Sequence, residues 1–269
     1  MTDQKTFTDE RRYEIVQRVR EKRRVQVADL AETYAVSAET IRKDLTTLQE
    51  AGFIRRTHGG AVPVERSATE LGVRKRTMFT AEKHVIAARA LAHVPTSGSI
   101  FIESGSTSLL LAELLPDDAE LTVFTNSLPT AISLAERPKT NITVVTLGGR
   151  VRPLTLGEVD NFALRSLREI HVDVAFLGTN GVSALHGLTV PDNAEAEVKR
   201  AALGISHRTV LLTDRSKIGT VSLWRYGSVE DIDIIITSEV ADAAEIEAIR
   251  AAGVSVELTE NSPSNSDRT

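Results

Sequence analysis

The 269-residue chain contains no cysteine. That excludes disulfide bridges, thiolate metal sites and a cysteine nucleophile, and it removes any need for an oxidising compartment. Aromatic residues make up only 4% of the chain, and Trp224 and the tyrosines are read as packing groups rather than platforms for bases. No apolar run approaches the ~20 residues that cross a bilayer. The stretch from Met1 to Arg12 lacks the apolar core of a secretory signal, so a cytoplasmic location is expected. The six histidines (His58, His84, His93, His171, His186 and His207) have no metal-ligand spacing, and no Ser/His/Asp grouping emerges. Neither G-x-G-x-x-G nor G-x-x-x-x-G-K-[ST] occurs, so no dinucleotide or nucleoside triphosphate site is indicated. No cofactor and no metal are expected.

Positive charge is also short, with a formal net charge of −5, but it is unevenly spread. Residues 1–76 carry 16 Lys+Arg against 12 Asp+Glu, and the remainder carries 16 against 25. A mildly basic head on an acidic body fits a nucleic-acid module joined to something that does not touch nucleic acid. The length allows two domains.

Within the head, Val27, Leu30, Ala31 and Tyr34 recur at helical spacing until Ala35-Val36 breaks the run. Ser37 stands where an N-cap belongs and restarts a helix. In this second helix Ile41, Leu45 and Leu48 form one buried stripe, while Glu39, Lys43, Thr46, Thr47 and Glu50 fall on the opposite face. Thr40 and Arg42 flank the stripe, and Gly52 can end the helix at C′. Phe53 to His58 reads as a short strand that Gly59-Gly60 turns back through Ala61-Val62. A further helix is expected from about Thr8 to Arg24, with Ile15, Val16 and Val19 packing on the pair. Such an arrangement could be a helical hairpin with a solvated charged face. Thr, Arg and Lys in the first turns of the second helix, with Arg55, Arg56 and His58 just beyond, favour a major groove and its flanking phosphates.

From Glu82 the pattern changes to alternation. Short apolar, β-branched runs occur at 99–102, 121–125, 142–147, 172–177, 209–213, 232–237 and 254–258. Helical segments at 83–94, 107–115, 128–136, 194–206 and 241–252 sit between most of them. This predicts a mainly parallel sheet covered on both faces, in which ligands bind beyond the carboxyl ends of the strands. Polar residues gather at those ends: Glu103-Ser104-Gly105-Ser106-Thr107, then Thr125-Asn126-Ser127, Gly148-Gly149-Arg150, Gly178-Thr179-Asn180-Gly181 and Asp214-Arg215-Ser216-Lys217. Glu195 and Lys199 lie one turn apart on a helix. Singly, these are helix caps, a surface pair or ordinary i,i+4 support. Together they suit a small polyhydroxylated anion such as a sugar phosphate, with the free N–H groups after Gly105 as its cradle.

The chain resembles the DeoR family of bacterial transcription regulators over essentially its ordered length. The N-terminal resemblance rests on Val36-Ser37-Ala38-Glu39-Thr40-Ile41-Arg42-Lys43-Asp44-Leu45, Leu48, Gly52 and Arg56-Thr57-His58-Gly59-Gly60-Ala61. The C-terminal half is similar to the family's sugar-phosphate sensor, a fold related to ribose-5-phosphate isomerase, at Ser104 to Thr107, Thr125-Asn126, Gly148-Gly149, Asp173 to Gly181, Glu195 with Lys199, and Asp214 with Lys217. Glu103 stands where the family usually has Asp. Phe176 to Gly181 combined with Gly187-Leu188-Thr189 resembles members controlling fructose use in actinobacteria.

The resemblance implies an α/β protein. A winged helix-turn-helix (1–62) would be joined by a linker (63–78) to a Rossmann-like, mainly parallel sensor (79–259) with a disordered tail (260–269). It implies a regulator, expected to be a repressor, of a sugar-utilisation operon. Arg42, Lys43, Thr40 and Thr47 would face bases of the operator, and Ser37, Arg55, Arg56 and His58 would hold phosphates. The effector would be a phosphorylated sugar, with fructose 1-phosphate one candidate. It would bind at Ser104, Gly105, Ser106, Thr107, Thr125, Asn126, Gly149, Arg150, Thr179, Glu195, Lys199, Asp214 and Lys217. One module makes too few contacts for specific recognition, so a homodimer or tetramer is expected. The rival reading is an isomerase-type enzyme with a DNA-binding head, using Glu195 as base and Lys199 as electrostatic stabiliser.

Overall fold

The computed structural model describes residues 2–50, 53–63 and 78–260. Gly52, the body of the expected linker (64–77) and residues 261–269 of the expected tail lie outside them. The chain divides into two compact units, Met1–Phe79 and Thr80–Thr269.

The first unit contains α1 (Thr2–Lys22), β1 (Val25–Gln26), α2 (Val27–Thr33), α3 (Ala38–Glu50), β2 (Ile54–Thr57) and β3 (Gly60–Pro63). Helix α1 starts earlier than the apolar spacing suggested, but Ile15, Val16 and Val19 do turn inward. They form one core with Val27, Leu30, Ile41, Leu45, Leu48 and Ile54, each worth about 1.5–3 kcal/mol when fully buried. Ala35 takes a left-handed backbone (φ 50°) and breaks the chain between α2 and α3. The core also holds Met78 and Phe79, and Phe79 meets Tyr13 edge-on at 6.3 Å. Phe79, expected to open the sensor, thus packs with the helices before it. Asp44, on the inner side of α3, is an unanticipated buried charge. It is held by Arg11 Nε at 2.7 Å and Arg12 Nε at 2.8 Å.

Strands β2 and β3 form the wing hairpin, and β1 pairs on the far side of β3, all antiparallel. Gly60 is required where β1 meets β3, because a Cβ there would stand 1.9 Å from the Val25 carbonyl oxygen.

The second unit is built on seven strands: β4 (Ser97–Ile102), β5 (Glu120–Thr125), β6 (Thr143–Thr146), β9 (Val172–Gly178), β12 (Ser206–Leu212), β14 (Ile234–Ser238) and β15 (Ser255–Thr259). They lie in the order β15-β14-β12-β9-β4-β5-β6 and every pairing is parallel. Successive side chains alternate between faces. Ile100, Ile102, Val174, Phe176, Val210 and Leu212 therefore pack on one side, against α4 (Thr80–Ala90), α5 (Ser106–Leu114) and α6 (Leu128–Ala135). Phe101, Ala175, Leu177 and Leu211 pack on the other, against α7 (Asp160–Arg168), α8 (Asn193–Leu203) and α9 (Ala243–Ala251).

Three features were absent from the sequence reading. One is the hairpin β7 (Arg150–Arg152) and β8 (Gly157–Val159), another is α7, and the third is a small antiparallel sheet of β10 (Gly181–Ser183), β11 (Gly187–Val190) and β13 (Trp224–Gly227). For function the decisive feature is the neighbourhood of β4 and β9. The helix after β4 covers one face and the helix preceding β12 covers the other, which makes the carboxyl ends of these adjacent strands the switch point at which such sheets form their ligand crevice.

Replacing Gly60 by Ala forces backbone apart at the root of the wing. We expect the change to destabilise the first unit by about 1–3 kcal/mol, the usual cost of overpacking a tight site. Urea unfolding of the full chain, followed by a probe in the first unit, measures this.

Candidate functional sites

In the first unit, Ser37 caps α3 as expected: its Oγ accepts from Thr40 N at 3.1 Å. Arg42 and Lys43 are exposed on α3, and Arg42 makes a loose pair with Glu39 at 3.4 Å. Thr47, expected to face bases, is half-buried and its hydroxyl is engaged within the protein. Its hydroxyl donates to the Lys43 carbonyl and accepts from Arg12 Nη2. Arg56 turns back on α3, with its Nη1 donating to Thr46 Oγ1 and its backbone N to Gln49 Oε1, both at 2.8 Å. Arg56 therefore braces the wing against the helix, while Arg55 and His58 lie exposed on it. The capped helix, its two exposed cations and the braced hairpin together present polar groups of the kind that meet duplex DNA.

In the second unit, the ends of β12, β9, β4 and β5 stand side by side. Glu103, directly after β4, is 1% exposed. Its Oε2 lies 2.5 Å from Lys199 Nζ and accepts from Gly178 N at 3.3 Å, and its Oε1 accepts from Ser104 Oγ at 2.9 Å. Burial pushes the Glu103 carboxyl up from its ordinary range, and the adjacent Lys199 charge works against that. Lys199 also donates to the Gly178 carbonyl at 2.9 Å, and its ammonium lies 5.7 Å from the Tyr226 ring centre. The Tyr226 hydroxyl donates to that same carbonyl, and burial raises its pKa well above the usual tyrosine value.

Glu195 and Lys199, one turn apart, turn to different partners. Glu195 Oε1 meets Arg152 Nη1 at 3.2 Å, and Arg152 Nε meets Asp192 Oδ2 at 3.3 Å. Arg152 belongs to the β7–β8 hairpin, which is moored to the sheet end by Glu158 N donating to the Asn126 carbonyl. Asn126 Oδ1 in turn accepts from Ser104 N at 2.9 Å. Arg150, singled out from sequence, does not join this cluster: its side chain is 59% exposed and pairs with Asp160. Gly149 sits tightly against the hairpin, and Glu158 Oε2 accepts from Gly148 N. Thr125 ties the end of β5 to β4 through the Ile102 carbonyl, and Thr179 is engaged by the Gly181 and Thr189 carbonyls.

At the base of the crevice, α5 begins at Gly105 without a side-chain cap. The first-turn N–H groups of Ser106 and Thr107 are therefore available to an anion. Ser108 Oγ and Thr155 Oγ1 are buried there without a hydrogen-bond partner among the described residues. Sequence reasoning missed Arg152, Glu158, Tyr226, Ser108 and Thr155, none of which stands in a motif.

Asp214 and Lys217 lie in a second cluster. Asp214 Oδ1 accepts from Ser216 N at 3.0 Å, and its Oδ2 is 3.9 Å from Lys83 Nζ. Glu82, in the first turn of α4, accepts from Arg215 N at 2.7 Å and lies 3.2 Å from Arg215 Nε. Burial alone would raise the Asp214 carboxyl, but Lys217, Lys83 and Ser216 hold it below its ordinary value. Glu82 is pushed from its ordinary 4.5 up to about 7, first by burial and then by the Asp214 charge, with Arg215 and Lys83 offsetting part. A carboxyl raised on folding favours the folded state while protonated. Its contribution is complete below the ordinary value and is lost as pH rises through about 7. We expect the second unit to lose about 1–3 kcal/mol between roughly pH 5 and pH 8 from this group. Glu82→Gln should flatten that slope in urea titrations across the same range. An unchanged slope in the variant would assign the pH dependence to another group.

Residues 11–67 match the DeoR-like helix-turn-helix domain, and residues 78–239 match the DeoR C terminal sensor domain. The HTH-type transcriptional regulator GlpR of Haloferax volcanii is 34% identical over 248 residues, 92% of this chain and 96% of the relative. A putative aga operon transcriptional repressor of Escherichia coli O157:H7 is 32% identical over 256 residues, 94% of each chain. Among solved structures, ribose 5-phosphate isomerase A of Methanocaldococcus jannaschii is similar at 20% identity and a TM-score of 0.36, over 50% of this chain and 52% of that one. With a capped reading helix and wing ahead of a seven-stranded sensor, and relatives matched along nearly their whole length, the chain belongs to the DeoR family of transcriptional regulators.

Proposed function

We propose that this regulator represses a sugar-utilisation operon and that a phosphorylated sugar sets its affinity for the operator. The observation that carries the reading is the uncapped start of α5 beneath a crevice lined by carboxylates and hydroxyls. Lys199 is matched by Glu103, so the ligand's phosphate is assigned to the N–H groups of Ser106 and Thr107 at the positive end of α5. Lys217 supplies charge from the neighbouring β12 loop. Sugar hydroxyls then donate toward the carboxylate-rich wall of Glu103, Glu158 and Glu195. Fructose 1-phosphate is the first candidate. The sign of control follows the E. coli relative, whose name describes a repressor.

On DNA, Arg42, Lys43 and Thr40 read base edges from α3, and Arg55 and His58 hold phosphates, with Ser37, Thr47 and Arg56 keeping helix and wing in register. The chain acts as a homodimer or larger oligomer, because one such module offers too few contacts for specific recognition. Catalysis is not part of the reading: Glu195, the base that isomerisation would need, is engaged by Arg152.

Two measurements test the proposal. Lys43→Ala should weaken operator binding by about 1–3 kcal/mol if the lysine reads a base. Equal weakening on every sequence, with the salt slope reduced by about one, would place it on a phosphate instead. Operator binding titrated with fructose 1-phosphate, fructose 6-phosphate, ribose 5-phosphate and glyceraldehyde 3-phosphate should reveal a coupling of about 1–3 kcal/mol for at least one ligand. If none alters operator affinity or melting temperature, the sensor reading fails.

A further inference from the structure

Two buried hydroxyls at the crevice have no structural work to do. Ser108 is 0% exposed and Thr155 is 3% exposed, and neither oxygen has a hydrogen-bond partner among the described residues. Leaving a buried hydroxyl unpaired is costly, so such groups call for an explanation beyond packing.

Their positions supply one. Ser108 stands in the first turn of α5, and its Oγ lies 3.4 Å from where a side chain on Gly105 would begin and 4.0 Å from the same point at Gly178. It therefore borders the space left open by two glycines, at the uncapped helix end and opposite Glu103. Thr155 sits in the turn of the β7–β8 hairpin. Its Oγ1 lies 3.4 Å from the point where a Gly157 side chain would begin, and Ser104 Oγ lies 2.6 Å from that point. The hairpin turn is held in place: Leu128 N donates to the Leu156 carbonyl at 3.1 Å and Glu158 N to the Asn126 carbonyl at 2.6 Å. Thr155 is thus carried on a fixed turn beside Ser104, and Ser108 on the first turn of the helix that follows Ser104.

We infer that Ser108 and Thr155 are specificity-determining contacts for the effector, clamping a phosphorylated polyol between α5 and the β7–β8 hairpin. This rests on the sugar-phosphate reading above. Ser108 donates to a phosphate oxygen at the helix end, and Thr155 pairs with a hydroxyl of the adjoining carbon chain. Neither hydroxyl is engaged by a protein group among the described residues, so each can pair with the ligand without breaking a hydrogen bond within the protein.

The test uses the full chain and compares Ser108→Ala, Thr155→Val and Thr155→Ser. Melting temperature is measured without ligand, and binding of fructose 1-phosphate, fructose 6-phosphate and ribose 5-phosphate is measured by calorimetry. The expected result has two parts. Without ligand, Ser108→Ala and Thr155→Val melt at or above the wild-type temperature, because an unsatisfied hydroxyl has been removed. Each binds whichever sugar phosphate the wild type accepts about tenfold more weakly, the loss of one hydrogen bond, and Thr155→Ser restores binding. If the wild type binds a sugar phosphate and both variants bind it equally well, the inference is overturned while the sensor reading stands. If the wild type binds none of the three, both fall together. Variants that melt lower and bind normally would make the hydroxyls ordinary parts of the fold.

Discussion

An ion pair buried at the carboxyl ends of β4 and β9 governs the geometry of the polar network around it. Removing Glu103 and Lys199 from water is expensive, and their attraction offsets that cost only if the remaining hydrogen-bonding capacity is also satisfied. Here it is. The carboxylate takes Lys199, Gly178 N and Ser104 Oγ, and the ammonium takes the carboxylate and the Gly178 carbonyl. One pair thereby ties the end of β4, the end of β9 and the middle of α8 to a common point. The two methylenes of Glu103 carry its carboxylate from the strand end to the Lys199 ammonium. Removing either partner would strand a charge in the interior, so the pair specifies a single arrangement even where it adds little net stability.

Around that point the polar network extends in only a few steps. Ser104 passes from Glu103 to Asn126, Asn126 passes to the β7–β8 hairpin, and Arg152 on that hairpin returns to α8 through Glu195 and Asp192. The loop closes on the helix from which Lys199 projects. Four carboxylates (Glu103, Glu158, Asp192 and Glu195) accompany two cations in this ring. Such a wall accepts hydrogen bonds from hydroxyls more readily than it accepts a further anion, in keeping with the proposed placement of a ligand's phosphate at the helix terminus.

Much of this architecture was legible in the sequence, for reasons that differ by element. The seven parallel strands announced themselves as short, nearly continuous apolar runs because both faces of the sheet are covered. The α3 stripe of Ile41, Leu45 and Leu48 and the Ser37 cap were equally plain, since they depend on residues within one helical turn. The β7–β8 hairpin and the β10, β11 and β13 strands were not. They are three or four residues long, too short for a period to register. Arg152 was missed and Arg150 preferred because a cation beside a glycine pair resembles a ligand loop. What separates them is a partner 43 residues away, which local pattern cannot see. Asp44 shows the same limit within the first unit. Its place on the inner side of α3 makes sense only once Arg11 and Arg12 arrive from α1. Ser108 and Thr155 are recognisable only by a lack of partners, a property that no motif carries.

The charges of the two units also differ in their access to solvent. At the ends of β4 and β9 the paired charges are almost wholly enclosed: Lys199 is 4% exposed and Glu103 1%, whereas Arg42 on α3 is 55% exposed. Dissolved ions screen exposed charges beyond about 8 Å at physiological strength but reach enclosed pairs far less. A cell whose internal ion content rises, as in osmotic stress, would loosen the chain's hold on DNA through competing counterions. The inner frame of its sensor would stay nearly unchanged. The protein would then keep its chemical discrimination under conditions in which its grip on the genome has slackened.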